Sequence, residues 1–158
     1  MNELNKEEAK KLYETYLNKV TKQKLKEFLF VHCKKVGEFA VLLGKKDNLD
    51  LNTLEIAGLV HDIGYCIDEE EHPKYSLKIL KDLSYEISKT LEDCILNHGS
   101  DKEPITPEGK VFQMADKISI LDIETLQSFL KNKDINREDL VFIEEMIKKA
   151  ASFINKLN

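Results

Sequence analysis

Apolar residues recur every three or four positions through most of this chain, and no segment alternates apolar and polar residues like a half-buried strand. Leu25, Phe28, Leu29, Val36, Phe39, Ala40 and Leu43 form one such stripe; Ile87, Leu91, Cys94 and Ile95 form another. That period suits helices burying one face. With only 3 Pro and 6 Gly, little interrupts it. The 158 residues suffice for one domain with its own core and are too few for two of ordinary size. The expected architecture is an all-α, compact multi-helix bundle. Its core should span about residues 22–125, with an N-terminal helix at about 6–20 and a C-terminal helix at about 136–157 packed on it.

Local signals place the boundaries. Asn5 followed by Glu8 is a capping arrangement for the first helix, and Thr21 can cap the second. Asn52 opens a third, with Leu54, Ala57 and His61 facing inward. "CIDEEE" reads as a polar loop, its acidic run at 68–71 a solvated turn. Pro73 then suits a first helical position, with Leu77, Leu80 and Leu83 inward. Ser84 is expected to begin a helix whose stripe ends in His98, and "GSDKEPIT" to form a loop over a site. Thr106-Pro107-Glu108 starts another helix, with Val111, Met114, Ala115 and Ile118 inward and Asp116 one step off. Asn136 with Asp139 starts the last, whose stripe is Leu140, Ile143, Ile147, Ala150, Ile154 and Leu157.

The net charge of −5 argues against non-specific binding to nucleic acid or an anionic membrane, and still permits a local basic pocket. The opening "MNELNKEEAKK" is charged from the start, unlike a signal peptide. The longest apolar run is about five or six residues, short of the roughly 20 that span a bilayer. Cys33, Cys66 and Cys94 show no CxxC spacing and read as reduced thiols. A cytoplasmic protein with no membrane partner is expected.

Four histidines remain. His32, His61 and His98 fall on inward faces and His72 at a helix entrance, while "LVHDIGY" buries an ionisable doublet, His61-Asp62, in an apolar run. A lone histidine on an apolar face is more often a satisfied core residue. Three of them with two displaced aspartates point to a divalent metal, because imidazole and carboxylate are its ligands and coordination offsets their burial.

His32, the doublet at 61–62, His72, His98 and Asp116 resemble the H…HD…H…H…D signature of the HD-domain superfamily of metal-dependent phosphohydrolases. The likeness covers about residues 28–125, including "LVHDIGY", "HPKYSLKIL" and "VFQMADKISILD". It implies a helical HD-domain bundle with one metal on His32, His61, Asp62 and Asp116. A second, weaker metal would use His72 and His98, with Asp62 bridging both. Asp62 and His61 would be catalytic, activating water through one or two ions of Fe, Mn, Co, Ni, Zn or Mg. The implied substrate is a small phosphoester such as a nucleotide, with no nucleic-acid polymer expected and self-association left open.

The chain also departs from the pattern. Many relatives carry a lysine directly after "HDIG", where Tyr65 stands here, and no "GYP" follows His98, which counts against the cyclic-di-GMP phosphodiesterase branch. "HDIGYC" has no counterpart of the general-base glutamate of single-metal deoxynucleotidases, favouring two metals. Tyr65, Lys35, Lys102 and Lys117 are candidate substrate contacts. Two alternatives stay open: a di-iron oxygenase built on the same ligands, and a non-catalytic metal- or nucleotide-binding regulatory module.

Overall fold

The 22-residue helix α2 (Gln23–Gly44) organises the bundle, packing against α3 (Leu51–Val60), α6 (Pro107–Ile118) and α7 (Ile123–Leu130). This computed structural model describes residues 2–131 and 135–156. The buried face of α2 is Phe28, Leu29, His32, Cys33, Val36, Gly37 and Ala40, so the stripe read from the sequence carries His32 into the interior. Gly37 meets Gly58 of α3 there: a Cβ on Gly58 would lie 2.5 Å from the Gly37 Cα. The missing side chain lets two backbones touch, which brings His32 close to the end of α3.

Helix α1 (Lys6–Leu17) packs on α3, and Asn5 closes a capping box with Glu8, an arrangement worth about 1 kcal/mol. It ends at Leu17 rather than near Val20. Lys22, not Thr21, precedes α2, and its side chain makes no capping bond. Asp50 rather than Asn52 caps α3, accepting from the Thr53 N–H at 3.0 Å.

Helix α4 (His72–Asp82) has Pro73 in its first turn and buries Leu77 and Leu80, while Leu83 is exposed. Ser84 does not begin a helix. Its φ of 62° turns the chain into β2 (Tyr85–Glu86), which pairs in parallel with β1 (Asn2–Glu3). Helix α5 (Lys89–Leu96) starts instead at Ser88, whose hydroxyl accepts from the Leu91 N–H at 3.1 Å.

Thr106 caps α6 as expected, but the buried face of that helix is Phe112, Gln113, Ala115 and Asp116. Asp116 is inside, and Val111, Met114 and Ile118 are only half-buried. The polar members broke the apolar pattern and moved the apparent stripe by a residue. A similar shift occurs in α8 (Arg137–Asn155), which has the expected Asn136–Asp139 capping box. It buries Ala150 and Phe153, leaving Leu140, Ile147 and Ile154 exposed. Leu157 lies outside the described residues. The three cysteines are free, and no described helix is long and apolar enough to cross a membrane.

Candidate metal centre

Four of the six candidate ligands are placed where helices begin or end. His61 caps the C-terminus of α3 and Asp62 follows with φ −108° and ψ 6°, opening a 3-10 turn over Ile63–Cys66. Neighbouring residues on one helix point about 100° apart, so ending α3 here is what aims both side chains at one point. Ser76 of α4 fastens the turn: its hydroxyl donates to the His61 carbonyl at 2.6 Å and accepts from the Gly64 N–H at 2.8 Å. His72 is the first residue of α4. His98 follows Asn97, the C-cap of α5, and so lies beyond the helix expected to carry it. His32 stands within α2 and Asp116 in the last turn of α6.

The side chains converge. His32 Nε2 lies 3.0 Å from Asp116 Oδ1 and 3.6 Å from Asp62 Oδ2. His61 Nε2 lies 3.2 Å from Asp62 Oδ2 and 3.6 Å from Asp116 Oδ1. On the other oxygen of Asp62, Oδ1, His72 Nε2 stands at 3.2 Å and His98 Nε2 at 3.6 Å, the two nitrogens 3.2 Å apart. Two groups could therefore hold an ion: His32, His61 and Asp62, with Asp116 against both imidazoles, and Asp62, His72 and His98. Ligand atoms at about 2.1 Å from a metal, set 90–109° apart, stand about 3.0–3.4 Å from each other, close to these spacings.

The donor chemistry fits as well. The Nδ1 atoms of His61, His72 and His98 lie 3.0, 2.8 and 2.7 Å from the carbonyls of Gly58, Glu69 and Ile95. An Nδ1–H donated there leaves the Nε2 lone pair facing the centre. His32 Nδ1 is 3.3 Å from the Ser119 hydroxyl, which donates to the Asp116 carbonyl. His61 Nε2 and Asp62 Oδ1 are buried and lack a hydrogen-bond partner. Buried polar atoms are rarely left so, and a divalent cation would satisfy both.

Electrostatics point the same way. Burial disfavours charge on Asp62, but His61 and His72 outweigh it and hold the carboxyl well below the usual carboxylate range. Burial likewise opposes charge on Asp116, where the Lys117 ammonium and the neighbouring His32 and His61 imidazoles hold its carboxyl low. Burial pulls His61 down, but the two carboxylates win and push its imidazole up to about 10. His98, with burial dominant, falls to about 4 and stays neutral at physiological pH, as a metal ligand must be. The carboxylates attract whatever cation is present, proton or metal.

The remaining candidates divide. Tyr65 stacks on His72 with ring centroids 4.0 Å apart, and Lys117 pairs with the outer oxygen of Asp116. Lys35 is turned away, held by Glu38 at 3.0 Å and Glu124 at 3.4 Å. Lys102 is exposed beside Asp101 at 3.2 Å.

Two polar residues that hold the loop carrying His98 were not singled out from the sequence. The Asp93 carboxylate accepts from Asn97, Ile105 and Thr106, and Gln113 Nε2 donates to the Gly99 and Lys102 carbonyls at 2.7 and 2.9 Å. The available signal was a polar residue on the buried face of each helix. Gln113→Leu, which removes both anchors while keeping bulk, is expected to weaken metal binding at the His72–His98 group by about 10–100-fold. Calorimetric titration should show the other group less affected. Equal weakening at both would mean that Gln113 acts on the fold as a whole.

Comparison with known proteins adds independent findings. A family model of the HD domain matches residues 29–121. Ribonuclease Y of Fervidobacterium nodosum is 33% identical over 94 residues, covering 58% of this chain and 18% of that protein. Ribonuclease Y of Desulforamulus reducens is 33% identical over 105 residues, 63% of this chain and 20% of that protein. The chain thus spans about a fifth of the length of these relatives. The crystal structure of a predicted HD superfamily hydrolase from an uncultured Thermotogales bacterium shares the fold, with a TM-score of 0.57 over 93% of this chain and 89% of the other at 18% identity. These relatives are named as ribonucleases, which overturns the expectation that nucleic-acid polymers are excluded. The net charge of −5 bears only on non-specific attraction.

Proposed function

Because this chain belongs to the HD-domain family, we propose that it is a metal-dependent phosphohydrolase acting on a nucleotide-containing phosphoester, free or within RNA. The observation that supports this most is Asp62, whose two oxygens face two separate groups of imidazole nitrogens. Divalent ions bound there would supply the positive charge that polarises a phosphoryl group and acidifies water. His32, His61 and Asp116 would hold one ion and His72 and His98 the other, with Asp62 common to both. The backbone carbonyls behind His61, His72 and His98 keep these rings aimed inward. His72, with 14% of its side chain exposed against 0–6% for the other ligands, marks the side open to substrate.

Two further residues have roles in this reading. Tyr65 lies against His72, and burial with the charge of Asp62 keeps its hydroxyl protonated, so it can donate to a phosphate oxygen. Lys117 would shift from the Asp116 carboxylate toward substrate as cations take over that carboxylate.

The test is elemental analysis of the purified chain, then phosphate release from nucleoside monophosphates, dinucleotides and short RNAs with each divalent metal. Metal-dependent turnover that chelator abolishes is the expected result. Metal-independent turnover would overturn the reading, and oxygen uptake by an iron-loaded protein without phosphoester cleavage would favour the oxygenase alternative.

A further inference from the structure

A cavity of about 510 Å³ lies between the start of α2, α7 and α8, and none of the six candidate ligands lines it. Its apolar wall is Leu25, Phe28, Phe129 and Phe142. Phe28 is shared with the metal centre. Its ring stacks on His32, with centroids 4.9 Å apart and 20° between planes, and lies 4.7 Å from Phe129. Phe142 completes the set 5.6 Å from Phe129 and is 41% exposed. Glu69 is the second shared residue, bordering the cavity while its carbonyl accepts from His72 Nδ1. The cavity therefore adjoins each ligand group through one residue.

The rim has a different character. Lys22 pairs with Glu69 at 2.5 Å and Lys24 with Asp139 at 2.9 Å. Each lysine is matched by a carboxylate, so the rim is polar without being an anion site. The volume is within the roughly 300–1,000 Å³ of small-molecule sites. Three aromatic rings below a rim of paired charges suit a planar heteroaromatic group with hydrogen-bonding edges. A phosphate suits the metal centre instead.

Resting on the phosphohydrolase reading, we propose that this cavity seats the nucleobase of the substrate whose phosphate reacts at the adjoining metal centre. The base belongs either to a free nucleotide or to a nucleotide of an RNA strand. The two sources share this chemistry.

Uridine, cytidine, adenosine and guanosine carry a base without a phosphate, so their binding reads the cavity alone. Each is titrated into the whole chain in chelator and followed by amide NMR. At least one is expected to shift resonances confined to residues 22–29, 69, 128–130 and 139–142. Phe129→Leu and Phe142→Leu, with otherwise native spectra, should weaken that binding between about fivefold and a hundredfold. No binding by any nucleoside, shifts elsewhere, or unchanged affinity in both variants would overturn the proposal.

The metal-loaded protein supplies the second arm. In the variants, KM should rise several-fold more for a nucleoside monophosphate or a ribo-oligonucleotide than for ribose 5-phosphate, which lacks a base. The substrate showing the larger rise identifies the source of the base, and equal rises for all three count against the cavity. Nucleoside binding without any hydrolysis by the metal-loaded wild type would leave the cavity assignment standing and bring down the hydrolase reading alone.

Discussion

Replacing Asp62 by asparagine is expected to lower phosphoester hydrolysis by about three orders of magnitude, with little change in shape. Asp62 presents Oδ2 to His61 and Oδ1 to His72 and His98, so its charge serves both ligand groups. The amide of asparagine keeps one acceptor oxygen and puts a donor where the second ligand atom stood. Metal binding at both groups should fall. Metal at about 100 times its dissociation constant stabilises a fold by about 2.7 kcal/mol, and the variant should lose most of that gain.

The metal-free protein should respond as well. The Asp62 carboxyl is held low by His61 and His72, so its charged form stabilises the metal-free fold above the ordinary carboxylate range and that contribution disappears as pH falls. A neutral asparagine lacks it at every pH. At pH 7 the variant is therefore expected to melt below wild type in chelator, and further below it in saturating metal. Equal drops in the two conditions would show that Asp62 serves the fold and not a metal.

Gly64→Ala should have the largest effect on stability. A Cβ at Gly64 would lie 2.1 Å from the His72 carbonyl oxygen and 2.6 Å from the Ser76 nitrogen, both backbone atoms of the first turns of α4. No flexible side chain can move aside, so α4 itself must shift, at a cost of about 3 kcal/mol. For a chain of this size that lowers Tm by about 6–12 °C. The shift carries His72 with it and breaks the Ser76 bridge to the His61 carbonyl, so metal affinity at the His72–His98 group should fall too. Gly37→Ala is the control, because the nearest atom to its Cβ, the Glu55 carbonyl oxygen, lies 3.5 Å away in ordinary contact. Unchanged denaturation of Gly64→Ala would mean that α4 does not depend on this close approach.

The residues that meet at the centre were legible by type and order, because imidazoles and carboxylates on buried faces need a reason to be there. Capping boxes at Asn5 and Asn136 and the cap at Thr106 were legible for a similar reason: they join residues three apart. Reading failed where local and distant demands conflict. Ser84 looked like a helix cap but adopts a left-handed conformation in the turn between α4 and β2. Asp116 looked displaced because Phe112, Gln113, Ala115 and Asp116 form a buried face that is half polar. In α8, which has apolar residues on more than one side, the choice of Phe153 over Ile154 depends on what the rest of the bundle presents.

By itself, then, the sequence determined that the chain is helical, where several helices begin, and that His32, His61 and His98 lie on inward faces. Each of these depends on neighbours within a turn or two, and periodicity records them. Only the tertiary structure decided which oxygen of Asp62 faces which ligand group, that Lys35 is bound to acids near α7, and that Phe28 joins the His32 imidazole to an aromatic cavity. These depend on distances between residues far apart in the chain. They follow from the Gly37–Gly58 contact, the break after α3 and the seating of α4 on Gly64, and no local pattern encodes such distances.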